Sequence, residues 1–95
     1  MSQSKERTNL LKMLDDAGIG FPTKGKSVSD ILFNHSFALL VAEKMFHAMH
    51  KEKQRGYLIN YGSEEKALEG IKTVYLRLMA EEKEESRVKF LEVYI

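Results

Sequence analysis

With 95 residues the chain has room for one domain, and its composition, 43% hydrophobic and 31% charged, is that of a folded protein with a modest core. Fifteen basic residues against fourteen acidic ones leave a formal net charge of +1, so no global field favours nucleic acid or an anionic membrane, and any basic site must be local. The chain has no cysteine, which excludes disulfides, thiolate catalysis and cysteine-based zinc sites.

The first ten residues, "MSQSKERTNL", lack the apolar core of a signal peptide, and the longest apolar run, "FALLVA" at 37–42, is too short to span a bilayer. A cytoplasmic location is expected, that of the host if the source is viral. Leu10, Leu11, Leu14 and Ala17 share one helical stripe that Lys12, Asp15 and Asp16 avoid, which predicts a short helix over about 5–17, stopped by Gly18 and Gly20.

The next stretch, "GFPTKGKS" at 20–27, satisfies the phosphate-loop pattern G-x-x-x-x-G-K-[ST] at every fixed position. That loop hydrolyses nucleotides only between a buried strand and a helix, within a sheet built from βαβ units of about 30 residues each. The preceding segment reads as a helix and the chain is too short for such a sheet, so no nucleotide hydrolysis is expected. What remains is a local anion site: Lys24 and Lys26, the hydroxyls of Thr23 and Ser27, and the unpaired N–H groups of a helix starting near Val28 or Ser29.

That second helix is expected over about 28–54, capped by Ser27 or Ser29 with Asp30 nearby but without the glutamate or glutamine of a full capping box. Lys51, Lys53 and Arg55 read as its last turns and Gly56 as its stop. From Phe37 to Met49 it is apolar on nearly every face. Such a helix must be covered all round, and one antiparallel neighbour plus a short N-terminal helix cannot do it. A homo-oligomer built through the second helix is therefore expected.

"YLINYG" at 57–62 is rich in β-formers but short. Ser63, Glu64 and Glu65 then open a third helix over about 63–85, with Ala67, Leu68, Ile71, Val74, Tyr75 and Leu78 on a core-facing stripe. Gly70 inside this helix marks either a close helix crossing or mere tolerance of glycine. The tail, 86–95, continues as helix or forms a short strand that would pair with Tyr57–Tyr61, the helix or irregular form being preferred because two isolated strands are marginal. The fold class is all-α: one domain over 1–95, a short N-terminal helix followed by a long antiparallel two-helix hairpin.

Other constellations have simpler readings. His47 and His50, with His35 three turns earlier, lack any strong metal-ligand spacing, and no metal or other cofactor is expected. Lys51, Lys53, Arg55, Tyr57 and Tyr61 interleave charge with rings as a single-strand binder would, yet a helix end complementing its dipole explains them equally, so a nucleic-acid polymer is not an expected partner. Asp15 and Asp16 diverge around a helix and Glu81–Glu85 lie in an exposed run, so no opposed acid/base pair exists and no enzyme is expected. Met13, Met45, Met49 and Met79 read as packing.

The plan of about ninety-five residues, with a short helix, a Thr/Lys/Ser loop and two long pairing helices, together with "PTKGKS" at 22–27, resembles the phage anti-CBASS cyclic-oligonucleotide sponges. The resemblance implies a hexamer of small helical subunits that binds cyclic di- and trinucleotides between protomers and sequesters them from host antiphage signalling. It also implies a loop lysine and a hydroxyl on the phosphates and an aromatic ring on the base. By position Lys26 takes the lysine role with Lys24 beside it, and Thr23 or Ser27 the hydroxyl role. The first helix has no tyrosine, so the ring must be Phe21 or come from another protomer. Two other classes stay open: a protein-interaction module using the apolar face of the second helix, and a weak nucleic-acid binder.

Overall fold

Each segment with helical periodicity folds as helix, but the long second helix is cut twice. The computed structural model describes residues 5–95, the side chains of Glu84 and Glu85 excepted. In chain order the helices are α1 (Lys5–Asp16), α2 (Val28–Leu32), α3 (His35–His47), α4 (Lys51–Tyr61), α5 (Glu64–Glu81) and α6 (Glu84–Glu92), and no strand occurs among the described residues.

Among the described residues α1 is helical from the first, Lys5, and Gly18 stops it. With φ at +71°, Gly18 lets its own N–H reach the carbonyl of Asp15, at 3.0 Å, and lets the Ile19 N–H reach that of Leu14, at 2.9 Å. This doubled turn satisfies carbonyls that the helix end would leave open.

The span expected as one helix, 28–54, is instead α2, α3 and the first residues of α4. The first cut has a local cause: Asn34 takes an extended conformation and its Oδ1 accepts the Phe37 N–H at 3.0 Å, capping a new helix. His50 does the same for α4, its Nδ1 accepting from Glu52 N at 3.3 Å. Lys51, Lys53 and Arg55 thus belong to the beginning and middle of α4, not to the end of its predecessor. Gly56 lies inside α4, and the stop is Gly62, with φ +90°. "YLINY" is helical because Tyr57 packs on Phe46, with ring centroids 6.5 Å apart; this tertiary contact overrides the β preference of the segment. The tail forms α6. Arg87 donates from Nε to the Met79 carbonyl at 2.6 Å, and its guanidinium sits 5.2 Å from the Phe33 ring centre, tying α6 back to α5 and to the α2–α3 corner.

The molecule is elongated, 48 × 26 × 19 Å. Its long axis is formed by α3 running antiparallel to α5, the most extensive helix pair. Two apolar clusters follow one another along that pair. The larger joins Leu10 and Leu14 of α1, Ile31 and Leu32 of α2, Phe37 and Val41 of α3, Tyr75 and Met79 of α5, and Val88 and Leu91 beyond. The smaller holds Ala42 and Phe46 against Ala67, Leu68 and Ile71, rimmed by Met49 and Tyr57. Tyr75 is fully buried and its hydroxyl donates to the Leu32 carbonyl at 3.0 Å, so its polar tip is satisfied where the chain turns from α2 to α3.

This arrangement narrows the case for covering α3 with other copies. Phe37, Ala38, Val41, Ala42 and Phe46 are buried by the chain's own helices, and Leu39, Leu40, Met45 and Met49 are half-buried. The antiparallel neighbour is α5, as expected, and side chains of α1, α2 and α6 join it over the first part of α3, which is why a single chain covers more of α3. The exposed large apolar side chains lie elsewhere: Leu58, Ile59 and Tyr61 on α4, Val74 on α5, and Val93. Gly70 marks a close crossing, since a Cβ there would stand 2.6 Å from Cζ of Tyr61.

Candidate functional site

The residues singled out between Phe21 and Ser27 form a turn that is anchored from α1. The Lys26 N–H donates to the Thr23 carbonyl at 3.0 Å, and Gly25, third in this four-residue turn, has φ +75°. That is the position at which a type II turn requires glycine. Arg7 reaches across from α1, donating from Nε to the Lys26 carbonyl at 2.8 Å and from Nη2 to the Thr23 carbonyl at 3.1 Å. Both ends of the turn are thereby clamped by one guanidinium fork, with the geometry that Arg provides and Lys cannot.

Three of the four fixed positions of the phosphate-loop pattern, Gly25, Lys26 and Ser27, have a local task. Gly25 makes the turn. Lys26 rests its ammonium 5.2 Å from the centre of the Phe21 ring, which in turn packs edge-on against Phe37 at 5.3 Å. Ser27 is the N-cap of α2: its Oγ accepts the Asp30 N–H at 3.1 Å, while Asp30 Oδ2 accepts the Ser27 N–H at 3.1 Å. Aspartate thus closes the reciprocal capping box for which no glutamate or glutamine was available.

The capping box changes the anion site that the sequence suggested. The N–H groups of Ser27 and Asp30 are already taken, and a carboxylate stands at the start of α2, which is only five residues long. Binding capacity therefore rests on side chains. Lys24 and Ser27 are exposed, Lys26, Thr23 and Phe21 are half-buried, and the Ser27 hydroxyl, acting as an acceptor toward Asp30, still has a proton to donate. The structure brings Phe21 and Lys26 into contact and holds Thr23 and Lys26 one turn apart; it gives Lys24 no partner beyond its place in the turn.

Arg7 was not legible as part of this site. It lies one turn before Leu10, on a helix whose pattern marks only the core stripe, and nothing local says that its fork will reach residues 16 and 19 positions away.

Elsewhere, His47 lies edge-on to Phe46 with centroids 5.6 Å apart, and His50 caps α4. Among the described residues, no three histidine, aspartate or glutamate side chains gather closely enough to hold a metal ion. No helix in the same set is long and apolar enough to cross a membrane. Comparison with known protein families, with curated proteins and with solved structures gave no match for this chain.

Proposed function

We propose that the chain is a non-enzymatic binding protein that sequesters small phosphate-containing signalling ligands, cyclic di- and trinucleotides foremost, at the Thr23–Ser27 turn, and that it does so as a homo-oligomer. The observation that carries this reading is the clamp of Arg7 on the Thr23 and Lys26 carbonyls. A turn fixed at both ends presents Lys24 and Lys26 on a frame that is set before a ligand arrives, which lowers the ordering cost of binding. Lys26 beside Phe21 joins a cation to a ring, the two features that a phosphate and a base require. Ser27 adds a neutral donor. In this reading the mode of action is that of the cyclic-oligonucleotide sponges the sequence resembles, with side chains in place of a helix N-terminus.

Calorimetry with a panel of cyclic di- and trinucleotides is the test. A charge-assisted hydrogen bond contributes about 1.5–3 kcal/mol, so Lys26→Ala should weaken binding by roughly tenfold or more, and Lys26→Arg should lose less. The thermal midpoint should hardly move. If no member of the panel binds wild type, or if Lys26→Ala binds as tightly as its parent, the turn is only a connector.

One observation favours a second reading, that of a protein-interaction module. Helix α4 has no buried residue, and Leu58, Ile59 and Tyr61 on it are 37%, 73% and 42% exposed. Here the contact surface would be α4 and not residues 28–54. Light scattering on wild type and Ile59→Lys separates the cases: a wild-type mass of one chain removes self-association from both readings, and an oligomer that Ile59→Lys dissociates gives α4 the interface.

A further inference from the structure

We propose a second ligand site, unconnected with the turn, in the corner between α3 and α4, and we assign it to a planar aromatic anion: one ring system carrying a carboxylate or phosphate. A cavity of about 380 Å³ opens there between Met45 of α3, Met49 and His50 at the corner, Lys53 and Tyr57 of α4, and Tyr94 after α6. That volume lies near the lower end of small-ligand pockets, with room for one substituted ring system and none for a polymer strand.

The corner is held in shape before anything binds. Gln54 donates from Nε2 to the Phe46 carbonyl at 3.0 Å and to the Met49 carbonyl at 3.1 Å, so a side chain of α4 closes the open end of α3. Both tyrosine rings are braced from behind. Tyr57 stands edge-on to Phe46 at 6.5 Å and parallel to Tyr61 at 6.0 Å, while Tyr94 leans on Phe90 at 5.4 Å. His50 is fixed as well: its Nδ1 accepts from Glu52 N, which assigns the proton of the neutral ring to Nε2 and makes that atom a donor.

The lining chemistry selects the ligand. Two tyrosines and two adaptable thioethers line it, and among the described residues of the lining Lys53 supplies the one formal charge and none is a carboxylate. An apolar ring without a charge would leave the ammonium unused, and an anion without a ring would leave the methionine and tyrosine surface wet. Lys53 and Tyr57 also border an adjoining cavity of about 370 Å³ beside Gly56 and Tyr61, so a substituent on the ring has a direction in which to extend.

The test is an NMR titration of protein labelled at the methionine methyls, with 1-naphthoate, adenosine monophosphate and uncharged 1-naphthamide as probes. The proposal expects Met45 and Met49 to shift with both anions and binding to weaken about tenfold for the amide. Lys53→Met keeps the apolar stem and should weaken the anions by a similar factor while leaving the amide unchanged. Tyr94→Ala, which removes a half-buried ring that packs on Phe90 and is not itself one of the buried residues of either cluster, should weaken all three probes. Lys26→Ala should weaken none, which separates this site from the turn. If the Met45 and Met49 methyls do not respond to either anion, or if Lys53→Met binds the anions as wild type does, the assignment is overturned. Should only the phosphate or only the carboxylate bind, the class contracts to that anion.

Discussion

The two halves of this molecule are built on one pair of helices, α3 and α5, yet they are not equally closed. Among the described residues, twelve buried side chains from five helices make up the first cluster, and five buried side chains make up the second. The first is covered on every side because α1, α2 and α6 converge on it. The second is rimmed by Leu39 and Met45 of α3, Met49 of the corner and Tyr57 of α4, and α4 contributes no buried residue. Small domains have too little apolar surface to close both ends of an elongated body, and this chain has invested in one. The clamped turn of Thr23–Lys26 hangs on the closed half; the two cavities that Lys53 and Tyr57 border and the exposed apolar side chains of α4 are on the open half.

Paired truncations should expose that difference most strongly. Phe37 and Phe46 are both essentially buried, one in each cluster. Phe→Ala in a core costs about 3–5 kcal/mol, more where the surroundings cannot collapse. Phe37→Ala should fall at the upper end, because Tyr75, Val41 and Leu32 hold their places around the void. Phe46→Ala should fall at or below the lower end, since Met45, Met49 and Tyr57 are half-buried and can fill in. Urea denaturation of the two variants checks the order, and equal costs would mean that the second cluster is as tightly packed as the first.

A smaller effect concerns the hydroxyl at the heart of the closed half. Burial pushes the Tyr75 phenol far above its ordinary pKa, and Arg87 only partly offsets this. A folded-state pKa above the unfolded one means stability that is complete below about pH 10, the unfolded tyrosine value, and is lost as pH rises beyond it. Tyr75→Phe removes the bond to the Leu32 carbonyl, at a cost of about 1–3 kcal/mol near neutral pH. The same variant should lose less stability than wild type between neutral and strongly alkaline pH. Melting curves of both proteins across that range supply the comparison.

The closed half was also the more legible one. The stripe of Leu10, Leu11 and Leu14 and the Gly18 stop mark the end of α1 to within a residue, and Ala67, Leu68, Ile71 and Tyr75 mark the core face of α5, although Val74, expected on that face, is exposed. The failures cluster around α4. Its mixed face has no period to read. Lys51, Lys53 and Arg55 resembled a helix end because the capping role of His50 depends on a backbone conformation the sequence does not announce. Asn34 is a preferred cap residue within an otherwise apolar-rich span, a local signal for the first cut. In the turn, Phe21 and Lys26 are in contact and Ser27 caps α2, whereas Arg7, which holds the Thr23 and Lys26 carbonyls, is visible only in three dimensions.

Gln54→Ala sharpens the comparison locally. It removes two hydrogen bonds from the α3–α4 corner and should cost about 1 kcal/mol, most of it paid by α4. Hydrogen exchange should then quicken in α4 and in the last turn of α3, while amides of α1 and α6 keep their protection. Uniform acceleration along the chain would show that the two halves open together.

The smallest net effect belongs to Gly70, where two opposing terms nearly cancel. Replacing a helical glycine by alanine gains about 1 kcal/mol of helix propensity. Against this, the new Cβ would lie 2.6 Å from Cζ of Tyr61 and 2.7 Å from Cε1 and Oη, so the ring has to move. Tyr61 is 42% exposed and has solvent to move into, but leaving its place breaks the parallel stack on Tyr57, whose rings lie within 9° of each other. An aromatic pair of this kind is worth about 0.5–1.5 kcal/mol, so Gly70→Ala alone should change stability by less than about 1 kcal/mol in either direction. In a Tyr61→Ala background the obstruction is gone, and Gly70→Ala should then stabilise the protein by about 1 kcal/mol. The double-mutant cycle, measured by urea denaturation, reads the difference directly. A large loss for Gly70→Ala alone would mean that the ring cannot swing aside and that α4 is held as firmly as the helices around Tyr75.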